Sequence, residues 1–362
     1  MLPNFYFDPE ILKYSFGLSH PLLPERLERT LALLEALGHG GYFPPGDLAL
    51  SDLERVHSPD YIQAVRELSE QPDLDSAGAT RYGLGPGDNP AFEGMFPSAR
   101  AYCACSAQAA KDVCAGATLA FSLGGGLHHA QRSFASGFCV FSDPAIALHI
   151  LRERFDRVAY VDIDVHHGDG VQFLFWDDPS VLTCSIHEDG RYLYPGTGAV
   201  EETGPANAAV NVPLAPGTTG DTWLWAFERG ILPALEAFAP EALVLQMGTD
   251  AHFLDPLAHL NVAAQDWLEA VRLVKETGLP IVALGGGGYS LDTVPRMWAS
   301  ACLTLAGVPF EDSVPDPLAE RWQMPSFFDP SPPGPSGSGR REAEKVIEFL
   351  RSDVFPGLPR PR

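Results

Sequence analysis

Short apolar runs rich in β-branched residues recur along the chain, at residues 118–123, 158–163, 181–186, 242–247 and 280–284. None alternates strictly between apolar and polar positions, so each predicts a strand covered on both faces, as in a parallel sheet. Helical stretches lie between them. Two carry start signals, Ser58-Pro59-Asp60 and Asp143-Pro144, each setting a proline in the first helical turn. Strands alternating with helices predict an α/β fold: one domain built on a central, mostly parallel, multi-stranded sheet with helices on both faces. From about Phe327 the pattern gives way to DPSPPGPSGSGRR, followed by a last amphipathic piece over 342–350. The chain therefore divides into a body over 1–325 and a Pro/Gly/Ser-rich linker and tail over 326–362, expected to be flexible and peripheral to any chemistry.

Composition narrows the function. The 362 residues carry 24 Lys+Arg against 47 Asp+Glu, a formal charge of −23. A direct nucleic-acid binder needs a basic face to displace counterions, so that class is set aside. No run of 18 apolar residues occurs, which argues against a membrane span. The first residues, MLPNFYFDPEILKYSFG, lack the basic and apolar segments of a signal peptide. Six scattered cysteines without C-x-x-C spacing look like small packing residues of a reducing compartment, and a cytoplasmic location is expected. Cys103 and Cys105 fall in SARAYCACSAQAAKDVCAG, which reads as a small-residue helix rather than a metal motif.

The residues able to do chemistry stand directly after the apolar runs. Gly124-Gly125-Gly126-Leu127-His128-His129 follows the first, and DIDVHHGDG, from Asp162 to Gly170, follows the second. His187 closes the third, Gly248-Thr249-Asp250 the fourth, and four glycines lead from the fifth to Tyr289. Ligands of open α/β sheets bind beyond the carboxyl ends of the strands, so these ends predict one shared site. In extended backbone Asp164 and His166 face the same side. With Asp250 as a third ligand, two carboxylates and a neutral imidazole would balance a divalent ion and leave a coordination position open, the catalytic layout. The competing reading has Asp162, Asp164 and Asp169 capping a helix that begins near Gly170; one Asp would do that, and burying three is costly. His128 and His129 suit general acid–base work, with Asp162 and Asp169 to orient their rings. Tyr289 is either a packed aromatic or a donor to a developing oxyanion. The glycine loops at 83–87 and 285–288 raise a nucleotide-binding reading, but neither forms G-x-G-x-x-G at a strand-to-helix turn. No P-loop or G-x-S-x-G motif occurs.

Seven segments in one order, GGGLHHA, SGFCVFSDPAIA, VDIDVHHGDGVQ, YPGTG, AVNVPL, MGTDAHFLDPLAHL and LGGGGYS, resemble the zinc-dependent histone deacetylase superfamily, which has the arginase-like α/β fold. TDAHFLDPLAHL, with YGLGPGDNPAFEGMF, is most similar to the bacterial acetoin-utilisation deacetylases, and SHPLLPERL is similar to the family's N-terminal His-Pro…Arg segment. The resemblance implies Zn2+, with Fe2+ or Co2+ as alternatives, on Asp164, His166 and Asp250. It makes His128 and His129 the catalytic histidines, backed by Asp162 and Asp169, and Tyr289 the residue that polarises the substrate carbonyl. Gly137, Phe138 and Tyr194 would line a narrow tunnel for an acyl-lysine stem, with Asp88 at its rim. A K+ site is implied at Asp162, Ser185 and the main-chain oxygens of Asp164, His166 and Ile186. The implied activity is hydrolysis of the amide of acetylated or short-acylated lysine in proteins, acetyl-CoA synthetase among them. Acetylpolyamines or other small N-acyl amides are the alternative substrates, and a silent acyl-lysine or metal-binding module is the more remote alternative. Three positions depart from the family: Tyr194, more often Phe, Ser142, usually Asn, and Pro144.

Overall fold

The apolar runs form strands of one sheet in the computed structural model, which describes residues 2–73 and 76–360. The strands are β1 Leu119–Ser122, β2 Val158–Asp162, β3 Val181–Glu188, β4 Ala209–Leu214, β5 Ala242–Gln246 and β6 Ile281–Leu284. Their order is β1-β6-β5-β2-β3-β4 and every neighbouring pair is parallel. Every residue of β2, β3 and β5 is buried, as their unalternating apolar sequences require. The helices are α1 Glu25–Ala36, α2 Leu50–Val56, α3 Pro59–Glu70, α4 Ser76–Thr80, α5 Met95–Cys114 and α6 Asp143–Leu151. They continue with α7 Asp169–Leu174, α8 Gly220–Phe238, α9 Ala264–Glu276, α10 Val294–Ala306, α11 Asp316–Trp322 and α12 Arg340–Phe349. One layer packs α5 and α6 together over β1, β2, β5 and β6, while α8, α9, α10 and α1 pack side by side in another.

The strand order places the site. From β2 the chain moves outward through β3 and β4, then returns to lay β5 on the other side of β2. That reversal opens a crevice at the carboxyl ends of β2 and β5, where open α/β sheets bind ligands. Asp162 and Gln246 are register partners across it.

Four features differ from the sequence expectation. AVNVPL forms a sixth strand; Pro213 obscured it, but β4 lies at the sheet edge, where a missing N–H is tolerated. β3 runs past His187 to Glu188. The other edge is covered by the N-terminal segment, since Tyr6 N–H donates to Phe121 O at 2.9 Å and Phe121 N–H to Asn4 O at 2.9 Å. The segment after 326 packs on the body at both ends of an exposed stretch: Phe327 and Asp329 are buried, and α12 lies against α8 and β4 through Ala343 and Ile347. Arg340 stacks on Trp225 of α8, its guanidinium 3.6 Å from the ring centre.

Candidate active site

Asp164, His166 and Asp250 each offer one ligand atom, and these atoms lie within 4.8 Å of one another. His166 Nδ1 is 3.2 Å from Asp164 Oδ1 and 3.1 Å from Asp250 Oδ2. The other oxygen of each carboxylate is already held. Asp164 Oδ2 accepts from Gln246 Nε2 at 2.8 Å and Gly287 N at 2.7 Å, and Asp250 Oδ1 accepts from Val165 N at 2.9 Å. The remaining pair, Asp164 Oδ1, which also accepts from His166 N at 3.0 Å, and Asp250 Oδ2, is aimed at one imidazole nitrogen. Side chains could not replace the surrounding glycines: a Cβ on Gly248 would sit 2.1 Å from Asp164 Oδ2, and one on Gly287 2.1 Å from Asp250 Oδ2. Burial, with the neighbouring Asp164 carboxylate, pushes Asp250 up to about 7. Two buried anions and one imidazole converging on a point fit a divalent cation, which would relieve that repulsion.

The two histidines arrive on the loop after β1. To reach the end of β2 this loop crosses the end of β6, and a Cβ at Gly126, where φ is +93°, would fall 2.5 Å from the carbonyl of Gly285. Only glycine permits that crossing. Asp143 braces the loop, accepting from Gly126 N, Leu127 N and Ser106 Oγ. His128 Nδ1–H donates to Asp162 Oδ2 at 2.8 Å, and His129 Nδ1–H donates to Asp169 Oδ1 at 2.7 Å. The two Nε2 atoms are 3.0 Å apart, so one proton bridges them. Burial opposes charge on His128, but Asp162 and Asp164 outweigh it and raise it to about 9. Burial and the adjoining His128 lower His129 to about 4. The bridging proton therefore sits on His128 Nε2, and the Nε2 lone pair of neutral His129 accepts it.

Asp162, Asp164 and Asp169 do not cap α7: its N-cap is Gly168, with no side-chain cap, and Asp169 instead serves His129 and accepts from Gln131 Nε2 at 3.0 Å. Within the 285–288 loop Gly287 lies against Asp164 and Asp250, while Gly286 packs on Gln246 and Gly288 on Thr249. Tyr289 is half-buried, its N–H held by Asp255 Oδ2 at 2.8 Å and its ring edge-on to Phe138 at 5.7 Å. Burial, then Asp250 and Asp164, keep its phenol protonated well above the usual range. Gly137 and Phe138 both adopt positive φ. Phe138 O accepts from Tyr14 Oη at 2.7 Å, and the Phe138 ring meets His20 at 4.4 Å. Tyr194 stands edge-on to His129 at 5.1 Å and shares a hydrogen bond with Ser136 Oγ. Asp88 is exposed and is not drawn into this cluster; its main-chain oxygen lies 3.3 Å from His20 Nε2. Ser185 is the register partner of Asp162 and bonds His187 Nδ1 at 2.8 Å, while Ile186 is buried and paired with Val212.

Gln246 escaped the sequence reading, and Arg26 entered it only as the arginine of the SHPLLPERL segment, with no role. Gln246 binds Asp164 and also donates to Gly126 O at 3.2 Å; its signal was a lone amide within the otherwise apolar run 242–247. Buried Arg26 donates to Gly286 O at 2.7 Å and Gly288 O at 3.2 Å, holding the loop that carries Tyr289. Its signal was an arginine among the apolar positions of α1.

A parallel α/β sheet with an Asp-His-Asp cluster and paired histidines at its switch point defines a deacetylase-type hydrolase, and the chain belongs to the histone deacetylase family: the histone deacetylase domain matches residues 20–305. Among relatives, the acetoin utilization protein AcuC of Bacillus subtilis is 38% identical over 333 residues, covering 88% of this chain and 86% of that protein. Histone deacetylase 19 of Arabidopsis thaliana is 32% identical over 365 residues, covering 98% and 72%. The crystal structure of an HDAC homolog from Aquifex aeolicus superposes with a TM-score of 0.90 at 28% identity, covering 96% of this chain and 99% of that one. Among the described residues no helix is long and apolar enough to cross a membrane.

Proposed function

We propose that this chain hydrolyses the side-chain amide of acetylated or short-acylated lysines in proteins, with zinc at Asp164, His166 and Asp250. The reading is carried by the paired imidazoles, one favouring charge and one neutral, beside a buried three-donor site. Zinc bound there would supply Lewis-acid polarisation of the carbonyl and acidify a water. His129, oriented by Asp169, exchanges its Nε2 contact with His128 for the water, takes the water proton there and later delivers it to the departing amine. His128 holds positive charge beside the reacting centre. Tyr289 donates its phenolic proton toward the carbonyl oxygen as charge develops there. Phe138 and Tyr194 grip the apolar lysine stem, and exposed Asp88 is free to meet substrate amides. Potassium would be held by Asp162, Ser185 and the main-chain oxygens of Asp164, His166 and Ile186. All six cysteines are free and five are buried, which suits a reducing bacterial cytoplasm.

Acetate release from an acetyl-lysine peptide and from acetylputrescine, measured side by side with zinc-loaded enzyme, tests the reading. A higher kcat/KM on the peptide is expected. A preference for acetylputrescine overturns the protein-substrate assignment, and zinc-independent turnover overturns the metal assignment.

A further inference from the structure

Asp329 lies beyond the 20–305 span of the family match and in the stretch whose sequence reads as linker. It is nevertheless buried, and its carboxylate joins three elements around the site. Oδ2 accepts from His252 Nε2 at 2.9 Å and from Ala264 N, in the first turn of α9, at 2.8 Å. Oδ1 accepts from Arg296 of α10 at 2.6 Å. His252 Nδ1 takes the N–H of Leu254 at 3.1 Å, which fixes the ring proton on Nε2, facing Asp329.

The ties through His252 and Arg296 lead back to residues of the active site. His252 is two residues from Asp250, and its carbonyl accepts from Asp255 N at 2.8 Å. Asp255 in turn holds the N–H of Tyr289 at 2.8 Å. Arg296 also donates to Asp292 O at 3.1 Å, bracing the turn between Tyr289 and α10, and to Phe327 O at 2.6 Å. The loop bearing one metal-site carboxylate and the loop bearing the phenol are thus clamped from behind by one anion. Gln265 seats that anion by its backbone, accepting from Asp329 N at 3.1 Å and donating to Asp329 O at 3.4 Å.

We infer that Asp329 is a positioning residue of the active site, holding Asp250 and Tyr289 in register through His252 and Arg296. The inference rests on the metal reading of Asp164, His166 and Asp250, and its first readout needs no substrate. In the full-length chain, D329N should weaken zinc affinity, measured by chelator competition, by about 10-fold, the lower end for groups that support metal ligands. At saturating zinc, kcat on an acetyl-lysine peptide should fall while KM stays nearly unchanged. Should D329N fail to fold, Q265A loosens the same seat without stranding a buried charge, and a shift of roughly 3-fold in the same direction is expected. I347A, which removes a buried contact of α12 far from this clamp, should lower the melting temperature and leave zinc affinity unmoved. Zinc affinity and kcat of D329N or Q265A equal to wild type overturn the inference, as does an equal zinc loss in I347A. If the wild-type chain binds no zinc at all, the metal reading fails and this inference with it.

Discussion

Gly137→Ala perturbs the proposed catalytic pair while substituting none of its side chains. Gly137 has φ of +49°, and a Cβ there would lie 2.3 Å from His129 Cδ2, 2.8 Å from His129 Cγ and 2.9 Å from Tyr194 Cε1. Ordinary contact begins near 3.4 Å, so the imidazole must retreat by about 1 Å. The ring cannot do so and keep its 2.7 Å bond to Asp169 and its 3.0 Å approach to His128. A displacement of that size costs roughly 100-fold in kcat, or about 2.7 kcal/mol of barrier. The left-handed backbone adds about 1 kcal/mol of strain to the folded state, which acts on stability rather than turnover. Gly116→Ala separates the two effects: its φ is +107° and nothing lies within 4 Å of its Cβ position, so it carries the strain without the collision. The assay is kcat on an acetyl-lysine peptide at saturating zinc, with melting temperatures for both variants. The expected outcome is a fall of about 100-fold in G137A and none in G116A. A folded, zinc-loaded G137A with kcat within about 3-fold of wild type would refute the placement of His129 as the proton carrier.

Three further outcomes follow from the same geometry. Tyr289→Phe should keep its zinc and lose about 100-fold to 1,000-fold in kcat on the acetyl-lysine peptide, and near-normal turnover would remove the phenol from the reaction. Chelation should lower the melting temperature, because Asp164 and Asp250 are then left facing each other with only His166 between them, and zinc should restore it; an unchanged melting curve argues against a cation at this point. Burial disfavours the Asp329 carboxylate, but His252, the N–H of Ala264 and Arg296 outweigh burial and hold it at about 2. A depressed carboxyl stabilises above its unfolded value and loses that contribution as pH falls through its folded value, here between about pH 4 and pH 2. The gap in urea midpoint between wild type and D329N should therefore narrow across that window, and a gap that does not change with pH refutes the linkage.

What the sequence disclosed was what periodicity and local spacing encode. The buried strands were visible because residues such as Val158, Val161, Val244 and Leu245 face packed layers on both sides. Asp164 and His166 could be paired because extended backbone fixes their shared side before any tertiary contact forms. Contacts that depend on strand order were hidden. Gln246 matters because β5 lies beside β2, an adjacency made by the return from β4, 28 residues upstream at its last residue Leu214. Arg26 reaches Gly286 across 260 residues, and no local pattern records that. The tail misled for a different reason: DPSPPGPSGSGRR has the composition of a linker, yet Asp329 within it finds a buried guanidinium, an imidazole N–H and a backbone N–H waiting, which composition cannot show. Asp88 stands at the opposite extreme, exposed on a loop where neither spacing nor packing fixes its side chain.

The division of labour between His128 and His129 is made by the sheet and not by the HH pair. The two imidazoles are chemically identical and adjacent in sequence, and both are buried, which alone would make both neutral. They differ in what β2 and its loop set against them. His128 meets Asp162, inside β2, and has Asp164 3.9 Å from its Nε2, so two anions act on one ring. His129 meets Asp169, at the start of α7, and that single carboxylate also accepts from Gln131. With the Nε2 atoms 3.0 Å apart, charge on the first ring further disfavours charge on the second. Asymmetry therefore follows from placing two carboxylates at the end of one strand and a third beyond it. A cation between Asp164 and Asp250 would draw down part of the field on His128, bringing the two rings closer in basicity without removing Asp162. Three carboxylates, a small part of the 47 acidic residues, thus leave one histidine neutral, as the proposed proton transfer requires, while its neighbour favours charge.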